Sequence, residues 1–151
     1  MTTTSEKLFV GLGSLHGDDS IGLCIAERLA LNQIPGILVR AARTPSEMLA
    51  WFADAERLVV CDACQSQAPL GTVHQWNWPA EEIESTHFFG SHDLPLVAVL
   101  KLADRLGQLP RKVVIVGVSI EDCRPREGMS PELVAAIPHI VTYVRGVVES
   151  A

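Results

Sequence analysis

Side chains able to bind a metal ion or move a proton gather at a few places in this sequence. The first is Gly11-Leu12-Gly13-Ser14-Leu15-His16-Gly17-Asp18-Asp19, where an apolar run ends in glycines and passes into two adjacent aspartates. Asp62 follows the apolar residues Leu58-Val59-Val60-Cys61, and His92 stands in Gly90-Ser91-His92-Asp93, ahead of a helical pattern. Each has a plain structural reading. Carboxylates at a helix start satisfy free amides and favour the dipole, and capping needs only one of Asp18 and Asp19. An aspartate after a strand forms turns, and a single histidine is often a hydrogen-bonded structural residue. Taken together, Asp19, Asp62 and His92 all stand where the chain leaves a strand or enters a helix. Two carboxylates and one imidazole form an N/O ligand set for a divalent first-row metal, with positions left open for water or substrate.

Other chemistries fit less well. The glycine turn resembles a dinucleotide fingerprint, but His16 stands where the third glycine of GxGxxG belongs. The end of the next strand offers Arg40 and Arg43 in place of a ribose-binding acid, and Asp18 and Asp19 would repel a phosphate from the helix start. Cys61-Asp62-Ala63-Cys64 has CxxC spacing, yet Cys61 continues an apolar strand pattern and reads as a core thiol. Cys24 and Cys123 are isolated, so no second pair completes a zinc knuckle. The chain has no G-x-S-x-G elbow, no H-E-x-x-H and no P-loop.

The elements that must position these residues follow from periodicity. Apolar runs over Lys7–Gly13, Ile37–Ala42, Arg57–Ala63 and Lys112–Ile120 predict strands, three of them apolar on both faces. Gly71–Trp78 alternates without a clear apolar face and predicts a strand nearer the sheet edge. Ile21, Cys24, Ile25, Arg28 and Leu29 recur at helical spacing from Asp19 onward, and Leu94–Gly107 carries a second apolar stripe. Thr44-Pro45-Ser46-Glu47 is expected to open a helix with a capping box, and Ser130-Pro131-Glu132 to start a last helix reaching Val148, kinked or broken at Pro138. Pro79 to Ser91 is left as a long connection, a length that tends to be functional. Alternating strands and helices predict one α/β domain over residues 1–151, with a largely parallel sheet covered on both faces. Ligands of such sheets bind beyond the C-terminal strand ends, where the candidate residues lie.

Composition narrows the function. The 151 residues carry a net charge of −6, so a nucleic acid or an anionic membrane is not the expected partner. No segment approaches the ~18 apolar residues of a membrane span, and Met1–Lys7 does not begin a signal peptide. A cytoplasmic protein with reduced cysteines is expected.

The ordered motifs resemble the hydrogenase maturation endopeptidases. They are Gly11-Leu12-Gly13-Ser14, Asp18-Asp19-Ser20-Ile21-Gly22, Val59-Val60-Cys61-Asp62-Ala63, Ser91-His92, Val113-Val114-Ile115-Val116-Gly117-Val118 and Met129-Ser130-Pro131-Glu132-Leu133, and they span nearly the whole chain. Ser14 departs from the family's usual asparagine, and the turn before Asp18 is one residue shorter than in many members. The resemblance implies a three-layer α/β/α fold around a five-stranded, mostly parallel sheet with one antiparallel strand. It implies a metal site of Asp19, Asp62 and His92, with His16 as a possible accessory. The implied substrate is a nickel-loaded [NiFe]-hydrogenase large-subunit precursor, which loses its C-terminal extension with nickel as the recognition signal. Nickel is expected to arrive in the substrate, and other divalent metals are able to occupy the same ligands. Two chemical routes stay open: the metal polarises the scissile carbonyl or acidifies a water, or an aspartate among Asp18, Asp19 and Asp62 acts as base while the metal only docks. Around the long connection, Trp76, Trp78, His87, Phe88 and Phe89 form either a docking face for precursor or a cluster that caps the loop. Two other functions fit the same residues, a non-catalytic nickel-sensing chaperone of the precursor and a small-molecule or nucleotide-binding α/β enzyme.

Overall fold

A computed structural model describes residues 7–89, 94–121 and 128–150. The strands are β1 (Lys7–Leu12), β2 (Ile37–Ala42), β3 (Arg57–Gln65), β4 (Val73–Asn77) and β5 (Lys112–Ile120), and the helices are α1 (Ile21–Leu31), α2 (Glu81–Ser85), α3 (Leu96–Arg105) and α4 (Pro131–Ser150). They form one five-stranded sheet in the order β2-β1-β3-β5-β4. All neighbours run parallel except β4, which pairs antiparallel with β5 at the edge.

Strand residues alternate between two cores. Phe9, Val59, Cys61, Val114 and Val116 pack against α1 and α4 on one face. Leu8, Val10, Leu58, Val60 and Ile115 pack on the other face against α3, α2 and the segment after β2. Both faces are therefore covered, which gives the three-layer α/β/α arrangement and explains why β1, β3 and β5 are apolar throughout. Among the described residues no helix is long and apolar enough to cross a membrane.

Some local expectations are corrected. Thr44 makes no side-chain cap, and Pro45–Ala50 and Phe52–Asp54 are 3-10 turns, not one α-helix. The residues buried in the first turn, Pro45 and Met48, are three apart, the spacing that a 3.0-residue turn aligns on one side. α4 runs unbroken through Pro138, burying Ile137, Ile140 and Val144 on the sheet side. The connection from Pro79 contains the short helix α2, held by the buried Ile83.

From β1 the chain crosses to β2 on one side, and β3 lies on the other. The strand order therefore reverses between β1 and β3, the place where sheets of this kind open a crevice beyond their C-terminal ends.

Candidate active site

Two of the buried acids belong to this reversal, Asp19 on the turn that follows β1 and Asp62 within β3. Beyond β1, Gly17 takes a left-handed φ of 59° and starts a 3-10 turn, Gly17–Ser20, that feeds α1. This turn packs against β3. The approach is close because glycines line it: a Cβ on Gly22 would sit 1.9 Å from the Leu12 carbonyl oxygen and 2.8 Å from that of Cys61. A Cβ on Gly13 would meet the Asp19 carbonyl oxygen at 2.4 Å. Backbone contact of this kind draws the turn that carries Asp19, three residues before Gly22, against β3, where Asp62 follows Cys61 and the strand continues to Gln65.

Asp19 is 2% exposed and Asp62 is 0% exposed. Asp19 Oδ1 has no hydrogen-bond partner among the described residues. Charges this buried require compensation, and a carboxylate oxygen left open on a turn that packs against the strand bearing Asp62 suits a cation. The donor chemistry thus fits a divalent metal. Among the described residues no three of His, Cys, Asp and Glu come together as a ligand set. His92, the imidazole of the expected set, lies outside the described residues.

Asp18 behaves differently from its neighbour. Its Oδ1 accepts the Ser130 backbone N–H at 2.6 Å and its Oδ2 accepts the Ser130 hydroxyl at 2.6 Å. Asp18 therefore does serve a helix start, but that of α4 and not of α1. Sequence reasoning missed the pairing because the partners are remote in the chain; Ser130 itself was visible as the residue opening α4. His16 is exposed at the turn's entrance, its N–H donating to Ser14 Oγ at 3.3 Å.

The chain at 87–89 runs alongside the end of β3, beyond the point where β1 stops. Gln65 N–H donates to the His87 carbonyl and Phe89 N–H to that of Ala63, both at 2.9 Å. Phe88 is 5% exposed and stands edge-on to Trp76, with centroids 5.9 Å apart. Its ring belongs to the core on the α3 face of the sheet. His87 is exposed and Phe89 half-buried, and their rings meet edge-on at 4.8 Å.

A polar cluster that sequence reasoning did not single out adjoins Asp62. Asp62 pairs with Gly117 in β5, and Gly117 pairs with His74 in β4, so all three share one cross-strand row. His74 Nε2 lies 2.8 Å from the buried Ser119 Oγ, which lies 2.9 Å from Ser66 Oγ. Only the position of His74 in an edge strand hinted at it.

Cys61 and Cys64 are both buried and belong to opposite cores, as expected for positions three apart in a strand. Burial raises both thiols above their ordinary range, with the Asp62 charge adding to it; Cys64 is pushed up to about 11 although its hydrogen bond to Ser119 opposes the shift. They are free core thiols and not a redox pair.

The model of the hydrogenase maturation protease family matches residues 37–146. The hydrogenase 2 maturation protease of Escherichia coli K12 is 31% identical over 138 residues, covering 86% of this chain and 82% of that protein. The solved hydrogenase maturating endopeptidase HybD from E. coli superposes with a TM-score of 0.74 at 25% identity, covering 96% of this chain and 93% of that one. A [NiFe] hydrogenase maturation protease HycI from Thermococcus kodakarensis shares the fold, with a TM-score of 0.76, 18% identity and coverage of 96% and 93%. The family match spans well over half of the sequence and the fold agrees along nearly all of it: the chain belongs to the hydrogenase maturation protease family and is an endopeptidase.

Proposed function

We propose that this endopeptidase acts in the cytoplasm on a nickel-loaded [NiFe]-hydrogenase large-subunit precursor and removes its C-terminal extension, with the nickel as recognition signal. The observation that carries the reading is Asp19 Oδ1, buried with no hydrogen-bond partner among the described residues, on the turn that packs against the strand bearing Asp62. A desolvated carboxylate with one oxygen left open is unfavourable until a cation joins it.

Nickel enters as part of the substrate, already held by precursor groups, and Asp19, Asp62 and His92 complete its coordination. Bound there, the ion supplies Lewis acidity toward the scissile carbonyl or an adjacent water. Asp18 spends both oxygens on Ser130, so it positions the turn, and proton acceptance from the attacking water falls to Asp19 or Asp62. A precursor without nickel offers no cation to the two carboxylates and meets their repulsion instead. Cleavage thereby waits for metal insertion.

Incubation of the purified protein with nickel-loaded precursor, followed by intact-mass spectrometry, tests the proposal. The expected result is loss of one C-terminal peptide from the nickel-loaded form only. Cleavage of metal-free precursor at the same rate would remove nickel as the signal, and no mass loss from either form would overturn the processing role.

A further inference from the structure

Gly117 lies between Asp62 and His74 in the row that crosses β3, β5 and β4. Partners in register put their side chains on one face of a sheet, and residue 62 shares its face with Leu58, Val60 and Cys64. Gly117 adds no side chain to that face. The space is filled from two sides instead: a Cβ at Gly117 would stand 2.8 Å from Cys64 Sγ and 2.9 Å from the Trp76 ring. Neighbouring strands are about 4.8 Å apart, so these two groups flank the Asp62 side chain on its β5 side. The Asp62 charge accordingly acts on the Cys64 thiol.

Neither group keeps this place unaided. The Cys64 side chain turns about a single bond, and Trp76 belongs to the edge strand β4. His74 reaches both. Its ring stacks on Trp76, with centroids 5.7 Å apart and planes 13° from parallel. Its Nε2 lies 2.8 Å from Ser119 Oγ, the hydroxyl hydrogen-bonded to Cys64. Glu82 holds the indole as well, accepting the Trp76 Nε1–H at 2.8 Å.

A hydroxyl has one proton and two lone pairs, and at Ser119 the partners His74, Ser66 and Cys64 use all three. Ser66 is fixed in turn, because its Oγ accepts the Ala68 N–H at 2.9 Å. Ser119 is 1% exposed, so solvent does not replace a partner that is lost. An apolar ring at position 74 would stack on Trp76 equally well. The imidazole adds the bond that ties the indole to the Cys64 side of the wall.

We propose that His74 is a positioning residue of the active site: through Ser119 and Trp76 it fixes the Cys64 sulfur and the indole over Gly117, and this wall holds the Asp62 carboxylate in the orientation that meets the substrate's ion. The proposal rests on the role of Asp62 in processing and adds how that acid is held in place. His74 touches neither ion nor peptide; it acts from two strands away.

Three variants test it. His74→Phe keeps a ring over Trp76 and removes the bond to Ser119, His74→Gln puts an amide where Nε2 stood and keeps the bond, and Ser119→Ala removes the hydroxyl. Processing of nickel-loaded precursor is followed by steady-state kinetics. The Asp62 carboxyl signal is followed by carbon NMR of metal-free protein labelled at aspartate, with Asp62→Asn to assign it. His74→Phe and Ser119→Ala are expected to lower kcat about tenfold and to leave KM within about twofold. Both should shift the Asp62 signal while that of Asp104, exposed on α3, stays in place. His74→Gln is expected to restore kcat and the Asp62 signal. Should His74→Phe fail to fold, Ser119→Ala gives the same reading. A lower Tm with unaltered kcat and an unmoved Asp62 signal would make the network a stabiliser of the edge strand and overturn the proposal. So would a loss of kcat that His74→Gln does not repair. Absence of cleavage by wild type would overturn the processing role, and the Asp62 signal then decides on the positioning alone.

Discussion

The carboxylate of Asp18 and the first turn of α4 are joined by two hydrogen bonds of 2.6 Å, both donated by Ser130, across 112 residues of sequence. A negative charge placed there satisfies an orphan amide and complements the positive end of a helix of 20 residues. The same bonds fix the turn Gly17–Ser20, and with it Asp19. One pair therefore links the last helix to the position of a candidate catalytic acid.

Ser130→Ala removes the hydroxyl bond and leaves the backbone bond. It is expected to cost about 1–2 kcal/mol, seen as a fall in Tm of several degrees. It should also lower kcat more than it alters KM, since Asp19 loses its fixed place. Ser130→Thr keeps the hydroxyl and should restore both. A variant with reduced Tm but unaltered kcat would show that the pair stabilises the fold without positioning Asp19.

Asp19→Asn keeps the shape of the side chain and removes its charge. The group is buried, and one of its oxygens has no hydrogen-bond partner among the described residues. Loss of the charge should therefore leave Tm unchanged or raise it, as often happens at functional sites. Processing should fall by at least about 100-fold, and Asp62→Asn and His92→Ala should abolish cleavage likewise. Precursor cut at the wild-type rate by Asp19→Asn or Asp62→Asn would place the chemistry elsewhere.

The sequence made some of this site legible and concealed the rest for physical reasons. Asp62 could be singled out because a carboxylate within an apolar strand is locally anomalous, although β3 continues past it to Gln65, and Asp19 because it precedes a helix after a glycine turn. The role of Asp18 could not be read: local capping logic assigned the pair to α1, whereas its partner Ser130 is brought near only by the packing of α1 and α4. Strand periodicity located β1, β2, β3 and β5, whose apolar faces are fixed by burial. Thr44-Pro45-Ser46-Glu47 misled because its capping pattern is weaker than the demand to bury Pro45 and Met48. The row Asp62, Gly117, His74 depends on strand register, which no single segment specifies.

The thiols of Cys61 and Cys64 should be inert in the native protein. They belong to opposite cores of one sheet, and a disulfide between them would require β3 to unravel. The thiolate is the reactive form, and Cys64 is pushed up to about 11 from 9.0, so raising the pH from neutral to 9 leaves it protonated. Iodoacetamide labelling followed by peptide mapping should find both unmodified at pH 9 in the folded state and modified after denaturation. Native labelling of either would reopen a redox role for the CxxC segment.

The glycines of α1 and α4 should respond in opposite directions to alanine. Gly22 packs so that an added Cβ would stand 1.9 Å from the Leu12 carbonyl oxygen, and neither partner is a flexible side chain able to yield. Gly22→Ala must push α1 off β1 and β3, at a cost of about 3 kcal/mol or more, and must carry Asp19 away from Asp62. Gly146 lies in α4 with nothing within 4 Å of an added Cβ. Gly146→Ala should stabilise the protein by about 0.5–1 kcal/mol, because alanine loses less backbone freedom in a helix. Denaturant melts of both variants against wild type give the comparison, with processing measured alongside. A Gly22→Ala variant that is as stable as wild type and fully active would show that the close approach of α1 to the sheet does not set the geometry of the two acids.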